Sequence, residues 1–391
     1  MQKFVSALIL SALLLSRSVA SASAKADPGA VYLGVKDYGS VDIDDASSFT
    51  YRFSVDGKEK TYRLWNGDEE HPYALQNALK VGSAYRLTVE DGVVTQAEEL
   101  PQKAPDYTPP VTGTPGERTL KNLLSTALMP VGTSLYVYGG GWNWQDDGAG
   151  ASTRTIGLSP DWVRFFQSRD GDYTYRDRDG DAANKDAASS YYPYGRFNQY
   201  GYAGLDCSGY VGWTLYNTFE TENGKAGWVN KSTAFAKGLA NQGLGTWTNE
   251  VQTPDGKPET DLLPGDIISL KGHVWMALGT CADGSVVMLH SSPTRSYNNQ
   301  PGGGVQLGAI GPNHDCEALV LAETYNTRYF SAWHERYPVF LLPYERYIPT
   351  TESEETGRFT WDLSSAGGLS DPDGVAAMRP AQLLALLFGE Q

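Results

Sequence analysis

The sequence predicts an α+β chain in two parts, a small all-β module followed by a larger domain of mixed helix and strand. Three observations carry this reading. Five short, strand-like runs lie between residues 31 and 100, a proline-rich break follows at 101–117, and beyond it an apolar helix pattern precedes a pair of apolar strands. With 391 residues the chain is long enough for two or three domains, each with its own core.

Residues 1–24 read as a signal peptide: Lys3, an apolar run from Phe4 to Leu15, and small residues ending in Ala22, Ser23 and Ala24. The apolar run is too short to span a bilayer, and no second spanning segment follows, so the expectation is a secreted, extracellular protein. The formal charge is −15, and removing Lys3 and Arg17 with the signal would take it to −17. Such a surface repels polyanions, which argues against nucleic acid and anionic lipid as partners.

The module spans residues 28–100. Its strands are VYLGV, FTYRFSV, KTYRLW, AYRLTV and VVTQAEEL, with Asp56-Gly57 and Asp91-Gly92 as turns. Its only histidine, His71, lies in an acidic stretch and reads as a surface residue. The segment 101–117 carries five prolines without apolar periodicity and reads as a semi-extended linker. A new domain follows over 118–349, opening with a helix over Thr119 to Leu128. Residues 146–202, rich in Asp, Tyr and Gly, read as a long surface insertion. Within it Asp177, Asp179 and Asp181 have the spacing of a calcium loop, but Ala182 and Ala188 stand where that loop needs Gly and Glu, so a solvated acidic loop is the reading. Residues 350–391 read as an acidic tail ending in a short helix, Pro380 to Phe388.

The chemistry concentrates in GLDCSGYVGWTLYNTF. Val211, Leu215 and Phe219 recur at four-residue steps, which puts Cys207 at a helix N-terminus. There the free N–H groups and the helix dipole lower a thiol pKa and can hold an oxyanion. Gly204 and Gly209 allow backbone or substrate to come close around the thiol. A thiolate nucleophile needs a base that returns the proton to the leaving amine. His273 opens a strand after the Lys271-Gly272 turn, with one face of that strand in the core and the other free for a cleft. The Asp283-Gly284 turn then folds GSVVMLHSS back as a hairpin, bringing His290 toward His273, where it could fix the tautomer of the base. His314 and His334 fall outside these motifs and read as structural.

Four segments together resemble the NlpC/P60 peptidases, papain-like cell-wall hydrolases: YVYGG at 136–140, DCSGYVGW at 206–213, HVWMALG at 273–279, and LHSSPT with the later GGGV at 302–305. The resemblance covers most of residues 118–343. It implies a papain-like catalytic domain preceded by an SH3-like or similar β module, with Cys207 as nucleophile, His273 as base and His290 orienting it. It further implies Tyr138 near the site, and Asp206 and Ser208 holding the free amine of a short wall peptide. The family's usual substrate is the D-γ-glutamyl bond to a diamino acid in peptidoglycan stem peptides, cut without cofactor or metal. The implied partner is therefore peptidoglycan or a muropeptide, and the implied location is outside the cell, in some members at the wall. The long stretch between YVYGG and DCSG, and the tail, depart from the family pattern. Rival readings are a CHAP-like amidase acting next to muramic acid, an acyltransferase, and a silent wall-binding protein.

The chain holds three cysteines, an odd number for an exported protein. Cys281 and Cys316 either form a disulfide or stay free, and pairing would leave Cys207 as the single thiol. The ten Trp and 24 Tyr read mostly as packing residues, with Trp142 and Trp275 candidates for the cleft.

Overall fold

A computed structural model of the chain describes residues 25–36, 45–102, 104–137, 141–142, 154–169, 203–249, 253, 256–298, 301–349, 355–364 and 368–390. Residues 1–24, read from the sequence as a signal peptide, the three spaced aspartates and Tyr138 lie outside these residues.

The N-terminal strands close into a barrel: β1 (Lys25–Val35), β2 (Tyr51–Val55), β3 (Lys58–Leu64), β4 (Ala84–Glu90) and β5 (Val93–Glu99), in the order β1-β2-β3-β5-β4, with a single turn of helix, α1 (Ala74–Asn77), between β3 and β4. Period-two alternation points Tyr51, Phe53 and Val55 inward, where they meet Tyr32, Phe49 and Tyr62 in an aromatic core. Both Asp-Gly turns carry positive φ at both residues, the geometry that matches a tight hairpin to the strand twist. His71 pairs with Asp68 at 2.8 Å, half exposed.

The segment 101–117 is not a free linker. Asn122 accepts from Thr114 N–H at 2.7 Å and donates to the carbonyls of Thr114 and Glu117, and Val111 is buried. The Asn122 amide satisfies backbone groups that a strand or helix would otherwise pair, which pins the segment to the second domain.

That domain begins with α2 (Leu120–Leu128), capped by Thr119. It continues through β6 (Gly141–Trp142), α3 (Pro160–Ser168), β7 (Gly204–Leu205), α4 (Cys207–Phe219), α5 (Phe235–Asn241) and β8 (Gly245–Thr248). The strands β9 (Ile267–Leu270), β10 (His273–Thr280), β11 (Val286–Arg295) and β12 (Pro301–Ile310) form a consecutive antiparallel meander. After them come α6 (Glu317–Tyr329), α7 (Ser331–His334), β13 (Leu341–Leu342), α8 (Tyr344–Tyr347), β14 (Gly357–Trp361) and α9 (Pro380–Leu387). Seven strands make one sheet in the order β13-β12-β11-β10-β9-β14-β8, so the chain is α+β, as expected.

Three sequence expectations change here. Strand β14 belongs to the segment read as a tail, yet it lies between β9 and β8, pairing Arg358 with both Ile268 and Thr248. Arg358 is fixed by an ion pair to the buried Asp266 at 2.6 Å and by hydrogen bonds to Thr260 and the carbonyl of Asp261. Secondly, the described part of the insertion is core rather than surface. Ser159 caps α3, whose Trp162 meets Trp213 edge to face at 5.6 Å and whose Phe166 stacks on Trp333 at 5.3 Å. On its far side α3 meets the barrel: a Cβ on Gly82 would come 3.1 Å from the Arg164 carbonyl. Thirdly, β10 is buried on both faces. Val274, Met276 and Leu278 join the main core with α4, while Trp275 and Ala277 join a second core with Tyr344 and Ile348 of the α8 region. The open face expected along the whole strand is reduced to its first residue, His273.

Candidate active site

Cys207 opens α4, as the four-residue apolar spacing predicts. Asp206 is the cap: its Oδ1 accepts from Gly209 N–H at 2.7 Å and from Ser208 Oγ at 2.9 Å. The approach to the helix depends on Gly204. A Cβ there would fall 2.1 Å from the Leu135 carbonyl, which accepts from Leu205 N–H at 3.1 Å. Ser291 of β11 donates to the Leu205 carbonyl at 2.6 Å and fixes the segment that delivers the thiol against the sheet. Backbone N–H groups of Val274, Ser208 and Cys207 itself lie against the sulfur. Val274 follows His273 on β10, so the thiol sits beside the start of that strand.

The His273–His290 pair forms as the hairpin predicts. His273 Nε2 and His290 Nδ1 are 3.2 Å apart with the rings at 76°. Direct pairing of β10 with β11 starts only at Met276 and Leu289, leaving room at the strand mouth for both imidazoles. Tyr347 of α8 stands edge-on to both rings, with centroids 5.6 Å from His273 and 6.3 Å from His290. His290 is 2 % exposed, and its second nitrogen, Nε2, lies 3.4 Å from Gln306 Nε2 on the facing residue of β12. Trp333 Nε1 donates to Gln306 Oε1 at 3.4 Å.

Gln306, Trp333 and Tyr347 were not singled out by sequence reasoning. One signal was present, a lone amide in the otherwise apolar run GVQLGAI. Trp333 and Tyr347 come from elements made later in the chain and carry no local motif.

The electrostatics differ from the activated thiolate that a helix start suggests. Burial pushes the Cys207 thiol up to about 12, the Asp206 charge adds to this, and the backbone N–H groups offset it only in part. Burial pulls His273 down to about 4. His290 falls well below the ordinary imidazole value, from burial and from the neighbouring His273. Among the described residues, thiol and base share no direct hydrogen bond. The resting pair is therefore a neutral thiol beside a neutral imidazole.

Cys281 and Cys316 are free, buried thiols, so the disulfide alternative is not realised. Cys281 hydrogen-bonds with the Ser285 side chain and has Cys316 as an electrostatic neighbour, and Cys316 packs over Gly311, where a Cβ would meet it at 2.6 Å. Among the described residues Cys281, Asp283 and Glu317 bring three ligand-type atoms within 4.8 Å of one another. Both carboxylates already serve the turn, Asp283 accepting from the N–H groups of Ser285 and Glu317, and Glu317 from Ala282 N–H. That engagement reads as a structural tie between the β10–β11 turn and α6. No helix among the described residues is long and apolar enough to cross a membrane.

Compared with known proteins, the chain matches no family model, no curated protein and no solved structure.

Proposed function

We propose that this protein is a secreted cysteine peptidase of the NlpC/P60 type with a papain-like catalytic domain. It would hydrolyse the D-γ-glutamyl to diamino acid bond of peptidoglycan stem peptides. The observation that carries the reading is the hydrogen-bonded His273–His290 pair, 3.2 Å apart, at the mouth of the strand whose next residue, Val274, meets the sulfur of a helix-starting cysteine. Support also comes from the four motif segments of the sequence and from the free state of Cys207.

In this reading the thiol gives its proton to His273, and the sulfur attacks the scissile carbonyl. The N–H groups around the sulfur hold the oxyanion. His273 then protonates the departing amine of the diamino acid, leaving a thioester on Cys207, and water releases the acyl half. The residues named need neither metal nor organic cofactor for these steps. Asp206 and Ser208, hydrogen-bonded to each other at the lip of the helix, are the candidates to receive the free amine of the stem peptide. Tyr138 is the third candidate by its motif.

The test is mass spectrometry of defined muropeptides incubated with the reduced protein, beside Cys207→Ala. Cleavage between D-glutamate and the diamino acid that vanishes in the variant supports the endopeptidase. Cleavage next to muramic acid replaces it with an amidase. Equal muropeptide binding by both proteins, with no new amine released, replaces it with a binding protein.

A further inference from the structure

The chain of side chains behind His273 has a direction fixed by chemistry. An indole N–H can only donate, so the Gln306 atom facing Trp333 is the carbonyl Oε1 and the atom facing His290 is the amide Nε2. That amide nitrogen is also donor-only, so His290 Nε2 must present its lone pair. A neutral His290 then carries its hydrogen on Nδ1 and donates it to His273 Nε2. His273, accepting at Nε2, is left with its hydrogen on Nδ1, the nitrogen that His290 leaves available to the thiol. Trp333, Gln306 and His290 are each at most 3 % exposed, so water does not compete for these groups.

We propose that Trp333 and Gln306 are positioning residues that hold His273 in the Nδ1–H tautomer and keep the site at rest as a neutral thiol–imidazole pair. The proposal rests on the reading of Cys207 as nucleophile and His273 as base, and names how that pair is restrained. In the resting tautomer Nδ1 cannot accept the thiol proton, because it already holds one. Protonating His273 fully would set its new Nε2–H against His290 Nδ1–H. Moving the His290 hydrogen to Nε2 would set it against the Gln306 amide, and turning Gln306 would set its amide against the Trp333 indole. Each relief is opposed by the next donor, and the last donor cannot be reversed. Release therefore requires the Nδ1 hydrogen of His290 to pass along its hydrogen bond to His273 Nε2, one proton to leave His273 Nδ1 and one to reach His290 Nε2 in a transient opening of the buried site, and the Gln306 amide to turn over against the Trp333 indole. Net charge and electron count stay the same.

Among the described residues the titratable groups facing this assembly include Asp206 from the α4 cap, Cys207 itself, Tyr347 from α8 and Tyr337, whose ring centroid lies 4.8 Å from that of Trp333. The Asp206 charge raises the thiol and so acts in the same sense as the relay. Tyr347 is held above its ordinary value by burial and stays neutral near pH 7.

The test reads tautomers directly, without substrate. In protein carrying 15N-histidine, NMR distinguishes a protonated ring nitrogen from a bare one, and the expected wild-type state is Nδ1–H with bare Nε2 on both His273 and His290 near pH 7. Trp333→Phe keeps the stack on Phe166 but removes the donor, freeing Gln306 to turn. It is expected to populate the Nε2–H tautomers and to lower the pH of half-maximal Cys207 alkylation by iodoacetamide by about one unit, a tenfold faster reaction at pH 7. Cys281→Ser and Cys316→Ser confine the alkylation to Cys207. An Nε2–H tautomer on wild-type His273 overturns the proposal even if no variant folds. So does a folded Trp333→Phe protein whose thiol reacts no faster, the result a purely structural role would give. Muropeptide cleavage by wild-type protein whose resting His273 is already Nε2–H would refute the restraint and leave the peptidase standing, whereas Nδ1–H tautomers in the wild type with no cleavage even by the faster-reacting Trp333→Phe protein would leave the restraint standing and refute the peptidase.

Discussion

Replacing Arg358 with Met tests whether the C-terminal strand is a structural member of the domain. Asp266 is 1 % exposed and receives Arg358 Nη2 at 2.6 Å and Leu263 N–H at 2.7 Å, while its other oxygen has no partner. The variant keeps most of the side-chain volume but leaves that carboxylate with the Leu263 N–H and the nearby Thr360 hydroxyl and no charge partner, and breaking a buried pair in this way costs about 3–5 kcal/mol. At about 2–4 °C per kcal/mol for a domain of this size, the melting temperature should fall by roughly 10 °C. The pH dependence has a definite sign. Burial outweighs the Arg358 charge and already lifts Asp266 to about 6, above the ordinary carboxyl value. Removing the arginine lifts it further. A carboxyl raised in the folded state makes stability fall as pH climbs toward its folded pKa, so the deficit of the variant should be larger at pH 8 than at pH 5. Asp266→Leu combined with Arg358→Met removes both charges and should recover most of the loss. Thermal melts by circular dichroism at the two pH values check this. A drop of a degree or two, a deficit that shrinks with pH, or a double variant no better than the single would refute the reasoning.

Three further outcomes follow from the geometry. Asp206→Ala should cost about 1 kcal/mol by loss of the α4 cap. Because it also removes the anion beside the sulfur, iodoacetamide should alkylate the less stable protein faster at pH 8. Gly204→Ala forces a Cβ against the Leu135 carbonyl and should destabilise by about 1–3 kcal/mol, read as an earlier urea midpoint. Trp162→Ala should cost about 3–5 kcal/mol in the same assay if the inserted helix belongs to the core; a change under half a kcal/mol would return it to the surface.

What the sequence made legible was local. The helix spacing behind Cys207 and the Asp283-Gly284 hairpin each act within about twenty residues, and together they bring Cys207 and the two histidines to one region. The barrel strands were readable for the same reason, since alternation and Asp-Gly turns are short-range signals. The position of β14 was not, because strand order depends on pairings between segments far apart, and a polar stretch before GRFTW reads as a tail until its neighbours are known. Gln306 was invisible as a functional residue because its meaning comes from what faces it across the sheet and from an indole on α7. The helix-start argument for a thiolate left out burial, which together with the Asp206 charge raises the thiol against the backbone N–H groups that lower it.

The place of β14 also has a kinetic meaning. Among the described residues, strand β8 meets the sheet only through β14, a segment synthesised more than a hundred residues later. Until Gly357–Trp361 is available, β9 has an open edge and β8 has nothing to join, although the β9–β12 meander that carries His273 and His290 can pair within itself as the chain lengthens. Assembly waits for the distal residues, and the loop closure they demand makes folding slow. A chain with this wiring keeps one edge of its histidine-bearing sheet unpaired until its distal segment is made.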